Sequence, residues 1–247
     1  WSAAGMLDTD GQAVTRRPFR VVHSSATMQG ILGGGTSPIR PGEVTLAHLG
    51  VLFLDEAPEF KPSVLDGLRQ PLEDRFVRIT RVRHKVVFPC SFSLVLAMNG
   101  CACGWYPDCE CKPADVIKYQ SKLSGPLMDR IDMTVAVRPV PAADRNRGAC
   151  GPTTEDVRLV VSRAMDRQRA RLKGLPWHSN ADVPGPQAAG LFQFEDIATA
   201  VWQVIAQERN LTMRGSDRLK KVSRTIADLR DSETVSDADV REAAEFI

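Results

Sequence analysis

The sequence predicts an α/β core built on a parallel sheet, followed by an all-α lid. Three observations carry this expectation. Gly50-Val51-Leu52-Phe53-Leu54 and Phe92 to Met98 are short apolar runs without the alternation of a half-wetted strand. They read as strands covered on both faces, as in a parallel sheet. From Thr153 onward, apolar residues recur at helical spacing behind capping signals. Between the halves, Arg138-Pro139-Val140-Pro141 through Gly151-Pro152 has several breakers and few apolar anchors. The expected organisation is a core over residues 1–140, a linker over 141–152 and a helical lid over 153–247.

The elements follow in order. The run ending Leu54-Asp55-Glu56 is the first buried strand. Lys61-Pro62-Ser63 then opens a helix, because proline suits the first helical turn, and Leu65, Leu68 and Leu72 continue it. Phe76 to Phe88 mixes β-prone and basic residues and reads as a hairpin. The strand over 92–98 ends at Asn99. In the lid, Thr153-x-x-Asp156 resembles a capping box, with Val157, Val161, Ala164 and Leu172 on one face and Gly174 and Pro176 at the end. Ile197, Val201 and Val204 mark a second helix, and Leu219, Val222, Ile226 and Leu229 a third. Ser236-x-x-Asp239 caps a fourth, with Val235 and Val240 placed as a hydrophobic staple.

A chain of 247 residues with 43% hydrophobic and 25% charged residues can bury a core without disulfide staples. The net charge of +2 names no partner, so any nucleic-acid surface must be a local patch. The uncharged stretch Phe88 to Pro107 contains Pro89, Asn99 and Gly100 and does not suit a membrane-spanning helix. No basic segment precedes an apolar core as in a signal peptide, so a cytoplasmic protein with no membrane partner is expected. The chain opens with Trp1, which predicts a piece of a longer protein.

Asp55 and Glu56 lie where open α/β sheets bind ligands, outside the carboxyl end of a strand. Asp55 can hold a magnesium ion through water, and Glu56 can orient an attacking water in phosphoryl transfer. A strand that simply ends in a polar turn is the other reading. Asn99, after the next strand, can hydrogen-bond a phosphate or that water, or can be an ordinary turn residue.

Beside these stand Arg17-Pro18-Phe19-Arg20, Gly33-Gly34-Gly35, and Pro41-Gly42-Glu43-Val44-Thr45-Leu46-Ala47-His48-Leu49 running into the strand and on to Ala57-Pro58-Glu59-Phe60. Further on come Ala97-Met98-Asn99, Leu123-Ser124-Gly125-Pro126-Leu127-Met128-Asp129-Arg130-Ile131-Asp132 and Ser223-Arg224-Thr225-Ile226-Ala227-Asp228-Leu229. Together they resemble the ComM/YifB family of magnesium-chelatase-like AAA+ ATPases over nearly the whole chain. The resemblance implies a P-loop-type AAA+ core, truncated at its amino end, and a helical lid, working as a homo-oligomeric ring, a hexamer, with ATP and magnesium. Asp55 and Glu56 become the Walker B pair and Asn99 sensor 1. Arg130 becomes the arginine finger for a neighbouring subunit, against the plainer reading of a surface arginine paired with Asp129 or Asp132. Arg214 matches sensor 2, with Arg218, one turn on, as its competitor.

The departures are specific. No G-x-x-x-x-G-K-[ST] loop occurs in the sequence, and Gly33-Gly34-Gly35 is not followed by its lysine. The family carries that loop upstream of the position of Trp1. His23-Ser24-Ser25 replaces an expected histidine pair, and Asn99-Gly100 an expected Asn-Pro.

Cys101-x-Cys103 and Cys109-x-Cys111 put four of the six cysteines within eleven positions. A chain without an export signal does not suggest a disulfide scaffold. A tetrahedral zinc site, free thiols and redox pairs are the three readings, with zinc preferred and the family's insert after sensor 1 in its favour. Cys90 and Cys150 read as structural thiols.

The hairpin carries Arg78, Arg81, Arg83, His84 and Lys85. In the resemblance it lines a central pore, where such a cluster would track the phosphates of DNA. A solvated charged hairpin that avoids edge pairing is the alternative. Gly30 to Gly42 reads as a mobile loop, which the resemblance makes a second pore loop. The preferred function is an ATP-driven DNA motor of branch-migration or helicase type. A chelatase-type or protein-remodelling motor and a non-catalytic relic are the rivals.

Overall fold

A computed structural model describes residues 16–35, 38–80, 85–106, 108–137, 140 and 151–247. The chain forms two compact units, residues 1–131 and 132–247.

The first unit runs β1 (Phe19–Val22), α1 (Met28–Leu32), β2 (Gly33–Gly34), β3 (Arg40–Pro41), α2 (Glu43–Leu46), β4 (Val51–Leu54), a 3-10 turn (Ala57–Glu59), α3 (Pro62–Gly67), α4 (Arg69–Asp74), β5 (Phe76–Thr80), β6 (Lys85–Pro89), β7 (Ser93–Leu96), α5 (Pro113–Gln120) and α6 (Gly125–Met128). Its three-stranded sheet has the order β1-β4-β7 and is parallel throughout. Val51 pairs with Phe19 and Ser93, and Leu54 with Val22 and Leu96. One face, with Val22, Leu52 and Leu54, packs on Ile31, Val44, Val64, Leu65 and Leu68 of α1 to α4. Phe19, Val21 and Val95 on the other face are exposed, and Phe53 stacks on Phe19 with centroids 6.1 Å apart. The strands were expected to be covered on both faces. Among the described residues the helices cover one.

Two further local differences have backbone causes. The helix expected through Leu65, Leu68 and Leu72 is two helices that meet at Leu68, because Pro71 has no N–H to bond one turn back. The glycine stretch expected as a mobile loop contains a β-ribbon, with Gly33 opposite Pro41 and Gly34 opposite Arg40. At Gly42 the chain crosses itself so closely that a Cβ would lie 2.2 Å from the Gly33 nitrogen, so only glycine fits. The hairpin appears as expected: β5 and β6 pair antiparallel, Arg78 opposite Val87 and Thr80 opposite Lys85.

The second unit contains α7 (Thr154–Arg171), α8 (Gly185–Leu191), α9 (Asp196–Glu208), α10 (Met213–Leu229) and α11 (Asp237–Ala244). Among the described residues that is one α-helix more than the four anticipated; α8 is short, with Gly185 and Gly190 inside it. Both expected capping boxes form, at Thr153 with Asp156 and at Ser236 with Asp239. Hydrogen bonds from Thr153 hold the Asp156 carboxyl below its ordinary value. The face of α9 is shifted: Ala198 is buried and Val201, Trp202 and Ile205 pack beside it, while Ile197 and Val204 are exposed. On α7, Ala164 is buried at the helix and Leu172 just after it, whereas Val157 and Val161 are exposed. None of the described helices is long and apolar enough to cross a membrane.

A charged cluster lies inside this unit. Arg224 and Asp228 are fully enclosed on α10 and pair at 3.1 Å. Arg224 also donates to the carbonyls of Phe192, Ser232 and Glu233. Arg171 and Asn180 bring α7 and its following loop onto the Asp228 carboxylate. Burial pulls the Arg224 guanidinium below its ordinary value, and Asp228 opposes this. Removing one partner of such a buried pair leaves an uncompensated charge. Asp228→Ala should therefore destabilise the helical unit by about 3–5 kcal/mol in urea unfolding. Arg158→Ala, which breaks an exposed pair with Glu155, should change it too little to measure. A loss below about 1 kcal/mol for Asp228→Ala would show that the cluster is not what holds α7 to α10.

Candidate functional site

The parallel sheet sets the site. β4 and β7 end side by side, and the ladder continues past their ends: Ala97 N–H donates to the Leu54 carbonyl and Ala57 N–H to the Ala97 carbonyl, both at 2.9 Å. Asp55 and Glu56 leave the central strand inside this ladder, and Asn99 follows two residues beyond it on the neighbouring chain. All three side chains are exposed. Asp55 Oδ1 accepts from the Glu56 N–H at 2.9 Å, and among the described residues neither carboxylate has a cationic partner. Glu56 sits in the left-handed region, at φ 50° and ψ 47°. A non-glycine residue pays about 1–2 kcal/mol there. The turn aims its carboxylate outward at the sheet edge.

Asn99 is held from the far side. The Gly100 carbonyl accepts from Gln120 Nε2 on α5 at 2.9 Å. The Tyr106 ring covers Gly100 so tightly that a Cβ there would lie 2.5 Å from the ring. Glycine in place of the expected proline thus makes room for an aromatic lid. Upstream, the Ser91 N–H donates to His48 Nδ1 at 3.0 Å, and burial lowers the imidazole below its ordinary value, so the neutral ring is the acceptor.

The cysteine insert follows directly. The Sγ atoms of Cys101, Cys103, Cys109 and Cys111 all lie within 4.8 Å of one another. Sulfurs around a tetrahedral zinc are about 3.8 Å apart, so the donor set fits a thiolate-bound divalent metal. Burial raises the Cys101 thiol, but hydrogen bonds from Cys103, Cys109 and two backbone N–H groups outweigh it and bring the thiol down to about 6. Cys111, hydrogen-bonded to Cys103 and partly buried, is pushed up to about 12. One sulfur is therefore prepared to carry negative charge while others donate to it. Cys90 is buried apart, against the Pro71 carbonyl, and burial raises it to about 12, as befits a structural thiol. Cys150 lies outside the described residues.

Arg130, just past α6, pairs with Glu73 and donates to the Pro126 carbonyl at 2.6 Å. Neither Asp129 nor Asp132 is its partner. Arg78 is exposed on β5 and lies over the Phe76 ring at 5.5 Å; Lys85 is exposed on β6. Arg81, Arg83 and His84 lie outside the described residues. Arg214 and Arg218 belong to the second unit, in the first two turns of α10, the former exposed and the latter half-buried.

Comparison with known proteins then decides the relationship. The family model for magnesium chelatase, subunit ChlI, matches residues 1–145, and the model for its C-terminal region matches residues 151–246. The chain belongs to this magnesium-chelatase-like family. Competence protein ComM of Haemophilus influenzae is 38% identical over 231 residues, which is 92% of this chain and 44% of that protein. The YifB protein of Escherichia coli is 36% identical over 235 residues, 94% of this chain and 45% of its own length. An uncharacterized protein of Mycobacterium tuberculosis is 38% identical over 230 residues, 92% and 46% respectively. The chain thus spans a little under half the length of these relatives. The expected family and fold class, an AAA+-like parallel-sheet core with an all-helical C-terminal region, both stand.

Sequence reasoning did not find Glu73, Tyr106 or Gln120. Each meets its partner across 6 to 57 residues of chain, through packing that no spacing rule encodes. Only the positive φ at Glu56 had a possible local signal, the polar turn after an apolar run. Replacing Glu56 by glycine should leave stability unchanged or raise it by up to about 1 kcal/mol, and valine should lower it by about 1–2 kcal/mol. Urea unfolding of the two variants checks this. Equal stability of glycine and valine at position 56 would mean that the left-handed turn is absent in solution.

Proposed function

We propose that this chain is the hydrolytic core and lid of an ATP-driven AAA+ motor that acts on DNA as a ring, a hexamer, in the manner of a branch-migration helicase. The observation that carries the reading is the shared carboxyl edge, where Asp55, Glu56 and Asn99 stand exposed just beyond the ends of adjacent parallel strands. Two uncompensated carboxylates suit a hydrated magnesium ion. ATP with magnesium, when bound, supplies the phosphoryl group and its counter-charge. Asp55 would hold the ion through its water shell. Glu56 would accept a hydrogen bond from the attacking water and orient it. The Asn99 amide would donate to a phosphate oxygen or to that water. Arg130 is the candidate finger for a neighbouring subunit's nucleotide, and Arg214, with Arg218 as the competitor, the second sensor. The phosphate-cradling loop is not among these 247 residues, so the reading assigns this chain the water-activating half of the chemistry.

DNA is supported by the basic hairpin, with Arg78 and Lys85 on its exposed face and Arg81 and Arg83 between them in sequence. A relative named as a competence protein supports a role in competence. The family's description favours a second reading, a chelatase-type motor that works on a metal-insertion or protein substrate with the same hydrolytic edge. DNA binding separates the two.

The 247-residue chain is expected to bind ATP weakly or not at all by calorimetry; micromolar binding would refute the assignment of the cradle to another segment. In an assembled protein that also carries a phosphate loop, Glu56→Gln should retain nucleotide and lose about 10²–10⁴-fold in kcat. A variant within about twofold of the parent would remove Glu56 from water activation.

In the same assembly, Arg81→Ala with Arg83→Ala should weaken DNA binding without changing sequence preference. Each lost phosphate contact should flatten the log–log salt slope by about 0.7–0.9. Unchanged affinity and slope would leave the hairpin a solvated surface feature.

A further inference from the structure

The segment from Cys101 to Lys112 has neither helix nor strand over its described residues. Among its described residues only Cys101 is buried, and Trp105 and Tyr106 are 76% and 52% exposed. With one buried side chain among them, the described residues have no apolar core of their own to fix them. Their order has another source. The Cys101 and Cys103 sulfurs are 3.2 Å apart, and all four Sγ atoms lie within 4.8 Å of one another. Gly104, at φ 82°, returns its N–H to the Cys101 carbonyl at 3.1 Å. Two short turns thus present their sulfurs to one another. The Cys101–Cys103 sulfur separation of 3.2 Å is far beyond a disulfide bond of about 2.0 Å.

The cluster is joined to the candidate nucleotide edge. Cys101 follows Asn99 by two residues. The ring of Tyr106, inside the insert, sits on Gly100. Gly104 approaches the Asn99 side chain, its Cβ position lying 3.7 Å from Nδ2. Lys112 is the cap of α5, and that helix returns Gln120 to the Gly100 carbonyl. The insert therefore closes a loop whose two ends both bear on Asn99.

We propose that Cys101, Cys103, Cys109 and Cys111 hold one zinc ion, and that this ion fixes the position of Asn99 at the sheet edge. The ion takes four sulfurs in a closed tetrahedral set, which leaves no open position for catalysis. Binding displaces thiol protons to solvent and forms four Zn–S bonds without any change of oxidation state. Asn99 is the residue positioned; the purpose of that positioning rests on the nucleotide reading above, and the metal site itself does not.

The test uses the 247-residue chain purified without added metal. Elemental analysis should give about one zinc per chain, and cobalt exchanged into the site should show the absorption of tetrahedral cobalt–thiolate. Cys103→Ser, at the exposed ligand, should lose the metal while the β7 amides keep their protection from hydrogen exchange. No zinc with four freely reactive thiols, or iron in its place, overturns the site. Positioning is read without nucleotide. Chelation should speed exchange at the Gly100, Cys101 and Gly104 amides by at least tenfold and leave β7 unchanged. Equal exchange before and after chelation overturns the link to Asn99. If metal and exchange behave as proposed but Glu56→Gln leaves hydrolysis intact in the assembled protein, the hydrolytic reading fails and the zinc clasp stands.

Discussion

The structure of the first unit depends on β4 lying between two parallel partners. A parallel ladder fixes which ends of the strands coincide, because register and direction are set together. Leu54 opposite Leu96 and the two 2.9 Å bonds through Ala97 extend that coincidence beyond the strands themselves. The acids and the amide are therefore neighbours by backbone pairing and need no contact with each other to be so. Hydrophobic burial of Leu52 and Leu54 anchors the strand that carries the acids, so the energy that places the site is remote from it.

What the ladder cannot do is aim the side chains, and at that point the chain accepts local cost. Glu56 stands at φ 50° two residues after Leu54, the last paired residue of the strand. Strain of this kind persists only where the surroundings over-determine it. Here the Asp55 carboxylate takes the Glu56 N–H, and the next amide, of Ala57, is claimed by the neighbouring strand. On the other side, Gly100 gives up a side chain so that Tyr106 can close over it and Gln120 can hold its carbonyl. The two halves of the edge are set by different means, a turn for the acids and a packed insert for the amide.

The parts of this arrangement that were legible in the sequence are those written in short range. Apolar runs marked β4 and β7, alternating basic and β-prone residues marked the hairpin, and the two capping boxes marked α7 and α11. The cysteine spacing foretold the cluster, since turns of one intervening residue leave the sulfurs close. The illegible parts are choices among equivalent local signals. On α9, Ile197 and Val204 are as apolar as Val201, yet the helix turns Ala198 and Trp202 inward, with the Trp202 N–H on the Ser216 carbonyl and its ring under Lys220. The β-ribbon at Gly33 exists because backbones cross at Gly42, a fact of tertiary distance. Periodicity locates a helix more securely than it locates the helix's buried face.

Two arginines of family-like motifs show how structure separates a framework role from an exchangeable one. Arg224 is wholly enclosed and its guanidinium serves three carbonyls and Asp228. Withdrawing it would deprive three carbonyls of this donor and leave the buried Asp228 carboxylate to Arg171 and Asn180, and no external phosphate could repay that loss. Arg130 has a half-exposed acid, Glu73, and one carbonyl. An ion pair open to water on one side holds about 0–1 kcal/mol. Exchanging Glu73 for a more concentrated negative charge thus costs Arg130 little, whereas Arg224 is committed. The resemblance alone ranks both residues by motif; the count of acceptors each would abandon is what assigns Arg224 to the framework and leaves Arg130 free to serve the proposed reaction.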